Sequence, residues 1–299
     1  MAVASTVKRG TRRKKHTLLK LVLFAVLIAG GIMFIKNQMN LYPPAENFPS
    51  ENADTYEIPP TPAGLGMDPE NSEIIEKLYA LASEDKRIYN VIKNADNYPQ
   101  PLLKLLIKNP DARDFVLDYP KHRKDKNTGK IQDSELGNGI PLFFQWDERW
   151  GYHSYGSGII GLNGCGPTCL SMIIVGLTGN TDATPSSVAD FSADNGYYVE
   201  GAGTSWDLMT IGAQNYGLVS STVSLSEESM LSELYAGHPL IVNVGPGDFT
   251  DYGHFIVIRG YENGMFLIND PNSKKLSSEG WYYSTLEKQI KNIWTYSLP

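Results

Sequence analysis

The chain has 299 residues, 41% hydrophobic and 20% charged, a composition that excludes a disordered or low-complexity protein. Its net charge of −7 hides an asymmetry: residues 1–36 hold eight Lys or Arg and no acid, leaving 18 basic against 33 acidic residues, a net of −15, in the remainder. An acidic body argues against nucleic acid as a partner, which would require a basic footprint.

The first element expected is a membrane anchor. Lys8, Arg9, Arg12, Arg13, Lys14, Lys15 and Lys20 precede the apolar run Leu21–Ile35. Fifteen helical residues span about 22 Å at ~1.5 Å per residue, short of a hydrocarbon core of ~30 Å. Starting at Thr17 and letting Lys20 snorkel gives nineteen residues, enough to cross. The only small-x-small cleavage site, Ala29-Gly30-Gly31, lies inside the run, which favours an uncleaved anchor over 17–36 against a signal peptide. The positive-inside rule places the tail, 1–16, in the cytoplasm and everything after residue 36 outside. Secretion after signal cleavage is the alternative.

Residues 37–70 hold seven of the eighteen prolines and read as a polar spacer. Residues 71–120 read as a small helical segment, with apolar residues at Ile74, Ile75, Leu78, then Leu102, Leu103, Leu106, then Phe115 and Val116, broken by Pro99, Pro101 and Pro110. Helices this short cannot bury a face alone and are expected to dock on the next domain of the chain. Residues 121–139 form a charged connector, and 140–299 the main domain.

Within that domain an apolar helical pattern (Cys169, Leu170, Ile173, Ile174, Leu177) begins right after Cys165, with Pro167 in its first turn. Helices are expected at Pro185–Asn195, Trp206–Tyr216 and Glu227–Ala236, the last capped by Ser226 and closed by Gly237. Strands are expected at Leu218–Ser224, Leu240–Val244, His254–Tyr261 and Met265–Asn269, and Glu287–Lys291 and Ile293–Ser297 finish the domain. Helices first and antiparallel strands later is an α+β order, without the alternation of a parallel sheet.

The chemistry centres on Cys165, in Asn163-Gly164-Cys165-Gly166-Pro167-Thr168 at a helix N-terminus, where the macrodipole favours thiolate. Such a nucleophile needs a base, and the base needs an orienting acceptor. Of five histidines, His16 is in the tail, His122 in the connector and His238 in a Gly-His-Pro turn. His153, in a Gly- and Tyr-rich loop, is the weaker candidate base. His254 opens an apolar strand and is the stronger one.

The acceptor depends on hairpin register. A two-residue Asn263-Gly264 turn pairs 262 with 265 and puts Asn269 on the face of His254; a three-residue loop pairs 261 with 265 and puts Asp270 there. Asn-Gly favours the first and Glu-Asn-Gly permits the second. Cys169, on the apolar face, is expected to be structural, and two cysteines one turn apart make neither a disulfide nor a zinc site. No metal or cofactor is expected, Asp248 and Asp251 being read as a solvated loop.

Gln145-Trp146-Asp147, Gly164-Cys165-Gly166-Pro167-Thr168, Gly253-His254-Phe255-Ile256-Val257 and Asn269-Asp270-Pro271, in that order, resemble papain-like cysteine peptidases of the bacteriocin-processing, double-glycine-leader type, and more closely their stand-alone bacterial surface members. The resemblance implies a papain-like fold over 140–299, a nucleophile helix packed on an antiparallel sheet. It implies Cys165 as nucleophile, His254 as base, Asp270 as orienting acid with Asn269 the alternative, and Gln145 as oxyanion donor. Gln145 is twenty residues before Cys165, farther than in the leader-processing enzymes, so the loop Arg149–Leu162 is expected to fold away from the cleft. No nucleotide-binding motif accompanies these motifs, so an exporter's peptidase domain and cleavage after double glycine are not implied.

The expectation is therefore a membrane-anchored extracellular cysteine peptidase acting on peptide or protein, including cell-wall peptide. An exported chain without a disulfide fits the surface of a Gram-positive bacterium. A peptidoglycan endopeptidase or amidase is the second reading, and a non-catalytic surface binding module the third.

Overall fold

The structure, a computed structural model, describes residues 69–299 apart from 126, 127 and 138. The expected anchor at 17–36 lies outside the described residues, among which no helix is long and apolar enough to cross a membrane. Four short helices come first: α1 (Pro69–Ala82), α2 (Ile88–Lys93), α3 (Gln100–Lys108) and α4 (Arg113–His122). Pro101 sits in the first turn of α3, where a missing N–H costs nothing, and the Asn109 side chain accepts from Asp111 N–H at 3.0 Å to start the next turn. At 6 to 14 residues each, none would persist alone.

What holds them is one apolar core. Leu78, Ile88, Leu102 and Val116 are fully buried, and the cluster continues through Trp146, Tyr152 and Ile159 of the main domain. Phe115 of α4 stacks on Tyr152, ring centroids 4.4 Å apart, and Tyr152 Oη donates to Phe115 O at 2.8 Å. Residue 161 must be glycine for this contact, because a Cβ there would lie 2.4 Å from the Phe115 ring. Phe115→Ala, at a side chain 2% exposed, is expected to destabilise the protein by about 3–5 kcal/mol in chemical denaturation. A loss below about 1 kcal/mol would mean that the helices are not part of the domain's core.

The main domain begins with a hairpin, β1 (Ser154–Tyr155) and β2 (Gly158–Ile159), then α5 (Ile160–Asn163), α6 (Cys165–Thr178) and α7 (Pro185–Asp194). Helix α6 is buried continuously from Gly166 to Val175, as its uniformly apolar composition requires, and stops at Gly179, whose φ of 72° is left-handed. A second hairpin, β3 (Tyr198–Val199) and β4 (Gly203–Thr204), precedes a 3₁₀ turn at Trp206–Met209, α8 (Ile211–Gln214), β5 (Val219–Thr222) and α9 (Glu227–Tyr235). Thr184 and Ser226 cap α7 and α9 by accepting from Ser187 and Ser229 N–H. Then come β6 (Leu240–Val244), β7 (His254–Glu262), β8 (Met265–Asn269), α10 (Lys274–Ser278), β9 (Gly280–Trp281), α11 (Tyr283–Leu286) and β10 (Ile290–Ser297).

Six strands form one antiparallel sheet in the order β5-β10-β6-β7-β8-β9, giving an α+β architecture. Helix α6 packs on the face carrying Ile241, Phe255, Val257 and Trp294. The opposite face, with Val242, Ile256, Ile258 and Phe266, takes Met230 of α9. Two expectations need correction. The single helix at Trp206–Tyr216 is interrupted at Thr210, whose φ of −113° and ψ of −84° leave the helical region.

The hairpin register also differs. The turn is the two-residue Asn263-Gly264, with φ of 52° and 81°, and Glu262 pairs with Met265. Yet Ile258 pairs with Ile268 and Val257 with Asn269, because a bulge between Ile258 and Gly260 absorbs Arg259. The extra residue shifts the strand by one, so Asp270, not Asn269, lies on the face of His254. Asn269 faces the other way, where its Nδ2 donates to Pro141 O at 2.9 Å and its Oδ1 accepts from Arg259 Nε at 3.0 Å.

Candidate active site

Cys165 is the first residue of α6, half-buried, with Gly164 before it as the N-cap. The backbone N–H groups of Gly166 and Phe255 point to its sulfur, and its side chain is hydrogen-bonded to His254. A side chain at 166 is excluded, because a Cβ would come within 2.8 Å of Thr204 on β4, which closes over the start of α6. Cys169, one turn on, is fully buried and donates to Phe255 O at 3.2 Å, and burial raises its thiol well above the ordinary value.

His254 is the first residue of β7 and 7% exposed. Its Nε2 lies 2.8 Å from Asp270 Oδ1, which leaves Nδ1 for the Cys165 sulfur. Asp270 is completely buried; the same Oδ1 accepts from Asn272 N–H at 2.7 Å, and its own N–H donates to Ser277 Oγ at 2.8 Å. Burial opposes charge on the imidazole, but the Asp270 carboxylate and the Cys165 sulfur outweigh it and push the His254 pKa up to about 10. Burial likewise opposes the thiolate, but the hydrogen bond and charge of His254 and the two backbone N–H groups lower the Cys165 pKa below the usual thiol range. Both shifts favour a thiolate beside an imidazolium, held by a buried carboxylate.

Gln145 is also buried, but in the adjoining part of the cleft. Its N–H donates to Pro271 O at 2.8 Å, next to Asp270, and its Nε2 donates to Gly161 O at 3.0 Å, leaving one amide hydrogen uncommitted. The loop Arg149–Leu162 does not fold away from the cleft as expected: Ser157 lines the chamber holding Cys165, and Gly161 and Leu162 line its continuation beside Gln145.

His153 is not near this centre chemically. It pairs with Asp190 of α7, Nε2 to Oδ1 2.7 Å. His238 pairs with Glu233 at 2.9 Å, fixing the turn after α9. Among the described residues no cluster of His, Cys, Asp or Glu could hold a metal ion, and Asp248 accepts from Gln289 Nε2 at 2.6 Å.

The chamber around Cys165 has walls that sequence reasoning missed. The hairpin β3–β4 supplies Tyr198, Glu200 and Thr204, and the strand entering β7 supplies Tyr252, 85% exposed. Behind the hairpin, Tyr155 Oη is hydrogen-bonded to Ser192 Oγ at 2.8 Å and Thr204 Oγ1 at 2.9 Å, and burial pushes its pKa up to about 12. Only the glycine-rich Glu200-Gly201-Ala202-Gly203 could have signalled this hairpin.

A sulfur, an imidazole and a carboxylate in series, at a helix start beside a cleft, define a cysteine hydrolase centre. The Peptidase_C39 like family matches residues 138–297, more than half of the chain and all three of these residues, so the chain belongs to that family and is a cysteine peptidase. Among solved structures it is similar to the peptidase domain of Streptococcus ComA, a bifunctional ABC transporter of a quorum-sensing pathway, at 15% identity over 46% of this chain and 93% of that one, TM-score 0.36. It is also similar to a protein from Bacillus anthracis described as a C39-like peptidase, at 15% identity over 57% and 98%, TM-score 0.32. No curated protein matches the sequence.

Proposed function

We propose that this protein is a membrane-anchored peptidase facing the cell exterior, with Cys165 as nucleophile, His254 as general acid–base and Asp270 as its orienting group. The observation that carries the reading is the buried series Cys165–His254–Asp270, with 2.8 Å between imidazole and carboxylate. Thiolate attack on the peptide carbonyl gives a tetrahedral oxyanion. The backbone N–H at Cys165 and the uncommitted amide hydrogen of Gln145 are its donors. The proton on His254 passes to the leaving amine, the amine departs, and the acyl group stays on sulfur. Water then attacks the thioester, His254 taking its proton, and thiolate and imidazolium are restored.

Placement outside the cell rests on the basic tail and apolar run of residues 1–36. A membrane-impermeant, thiol-directed peptide probe applied to intact cells is expected to label the protein at Cys165. Labelling seen only after lysis would overturn the outward orientation; labelling elsewhere in the chain would overturn the nucleophile.

A further inference from the structure

The cleft does not end at Cys165. It continues into a cavity of about 620 Å³ that the main domain encloses on one side only, with Gln145, Phe249 and Asn272. The other wall is the helical segment: Ile74 and Lys77 of α1, Leu105 and Lys108 of α3. Leu162 and Tyr252 line both this cavity and the chamber holding Cys165, so one extended chain can lie across the two.

The helical segment is fastened on both sides of the His–Asp pair. Lys108 forms an ion pair with Asp251, three residues before His254. Asn109 Nδ2 donates to Asn272 O, two residues after Asp270, and that same carbonyl accepts from Trp146 Nε1 at 2.9 Å. An attachment at these points fixes the wall relative to the reacting atoms.

Its chemistry is apolar below and charge-balanced at the rim. Ile74 and Phe249, 6% and 7% exposed, and the half-buried Leu105 and Leu162 make the floor. At the rim Lys77 pairs with Glu73 at 2.7 Å, and Lys108 with Asp251. The cavity's position along the substrate is set by the proton transfer. His254 must face the departing amine, so the residues C-terminal to the cut bond lie on the side of His254, Asp270 and Asn272, the side on which this cavity opens.

We infer that α1 and α3 form the specificity wall for the substrate residues C-terminal to the scissile bond, selecting a large apolar side chain there. This rests on Cys165 acting as nucleophile and His254 as its acid–base partner. The helical segment is then half of the binding site.

The test uses the full chain and a mixed peptide library, with cut sites on both sides of the bond read by mass spectrometry. Leu105→Trp, which narrows the cavity, is expected to reduce cleavage before large apolar residues about tenfold relative to small ones, with preferences N-terminal to the bond unchanged. Lys108→Ala, at a side chain 63% exposed and so neutral for folding, is expected to broaden the same C-terminal-side preference and leave the other side alone. Unchanged C-terminal-side preference in Lys108→Ala, or an equal change on both sides of the bond in either variant, would overturn the inference. Cleavage that survives Cys165→Ala at the same bonds would overturn the nucleophile assignment, and this inference with it.

Discussion

Cys165→Ala is expected to lower the rate of peptide hydrolysis by about 10⁶-fold, the scale of loss when the nucleophile is taken from a catalytic triad. The fold should survive. The side chain is half-buried, at the mouth of a cleft, and its removal opens onto solvent, leaving no sealed cavity. Hydrolysis of the peptides identified in the library, measured beside thermal denaturation, separates the two effects. A variant that keeps wild-type turnover excludes Cys165 as nucleophile, whatever the geometry. A variant that loses activity only by unfolding would make Cys165 structural.

Asp270→Ala carries the second-largest consequence, and for two reasons. Removing one partner of a buried ion pair leaves the other buried and unpaired, a loss of about 3–5 kcal/mol in stability. The variant also undoes the balance at His254. With the carboxylate gone, the largest influence raising the imidazole pKa is lost while burial still opposes its charge, so the pKa falls from about 10 and the imidazolium that lowers the Cys165 pKa is less populated. Turnover at neutral pH should fall about 10²–10⁴-fold.

The pH dependence fixes the sign. In the wild type the His254 pKa is raised from 6.5 to about 10, so the stabilisation is complete below 6.5 and is lost as pH climbs through about 10. The stability gap between wild type and Asp270→Ala should therefore narrow across that interval. Alkylation of Cys165 against pH gives a second readout. The wild-type thiol reacts as thiolate below the usual pKa of 9, and in Asp270→Ala the midpoint moves upward. An unmoved midpoint would show that the carboxylate does not act through the imidazole.

The parts of this site that were legible in the sequence are those with long-range periodicity. The apolar spacing after Cys165 marks α6, and the β-branched runs at Leu240–Val244 and His254–Val257 mark two central strands. The hairpins at Ser154–Ile159 and Tyr198–Thr204 were not, because two-residue strands are too short to show alternation. The interruption at Thr210 was hidden by an apolar pattern that continues across it. The course of the Arg149–Leu162 loop was hidden as well. What brings it to the cleft is Phe115, far earlier in the chain, seated against Gly161. At Arg259 a signal was present. A glycine comes directly after it inside an otherwise apolar strand, and a glycine there often marks an irregular pairing.

That one surplus residue in β7, by the way it is accommodated, decides which side chain partners the imidazole. Were Arg259 drawn into the ladder opposite Ile268, Ile258 would meet Asn269 and an amide would be presented to the imidazole where a carboxylate now stands. A neutral partner holds a ring in place without supplying countercharge. The two chemistries are thus separated in this scaffold by whether one residue pairs or bulges, with the sequence itself unchanged.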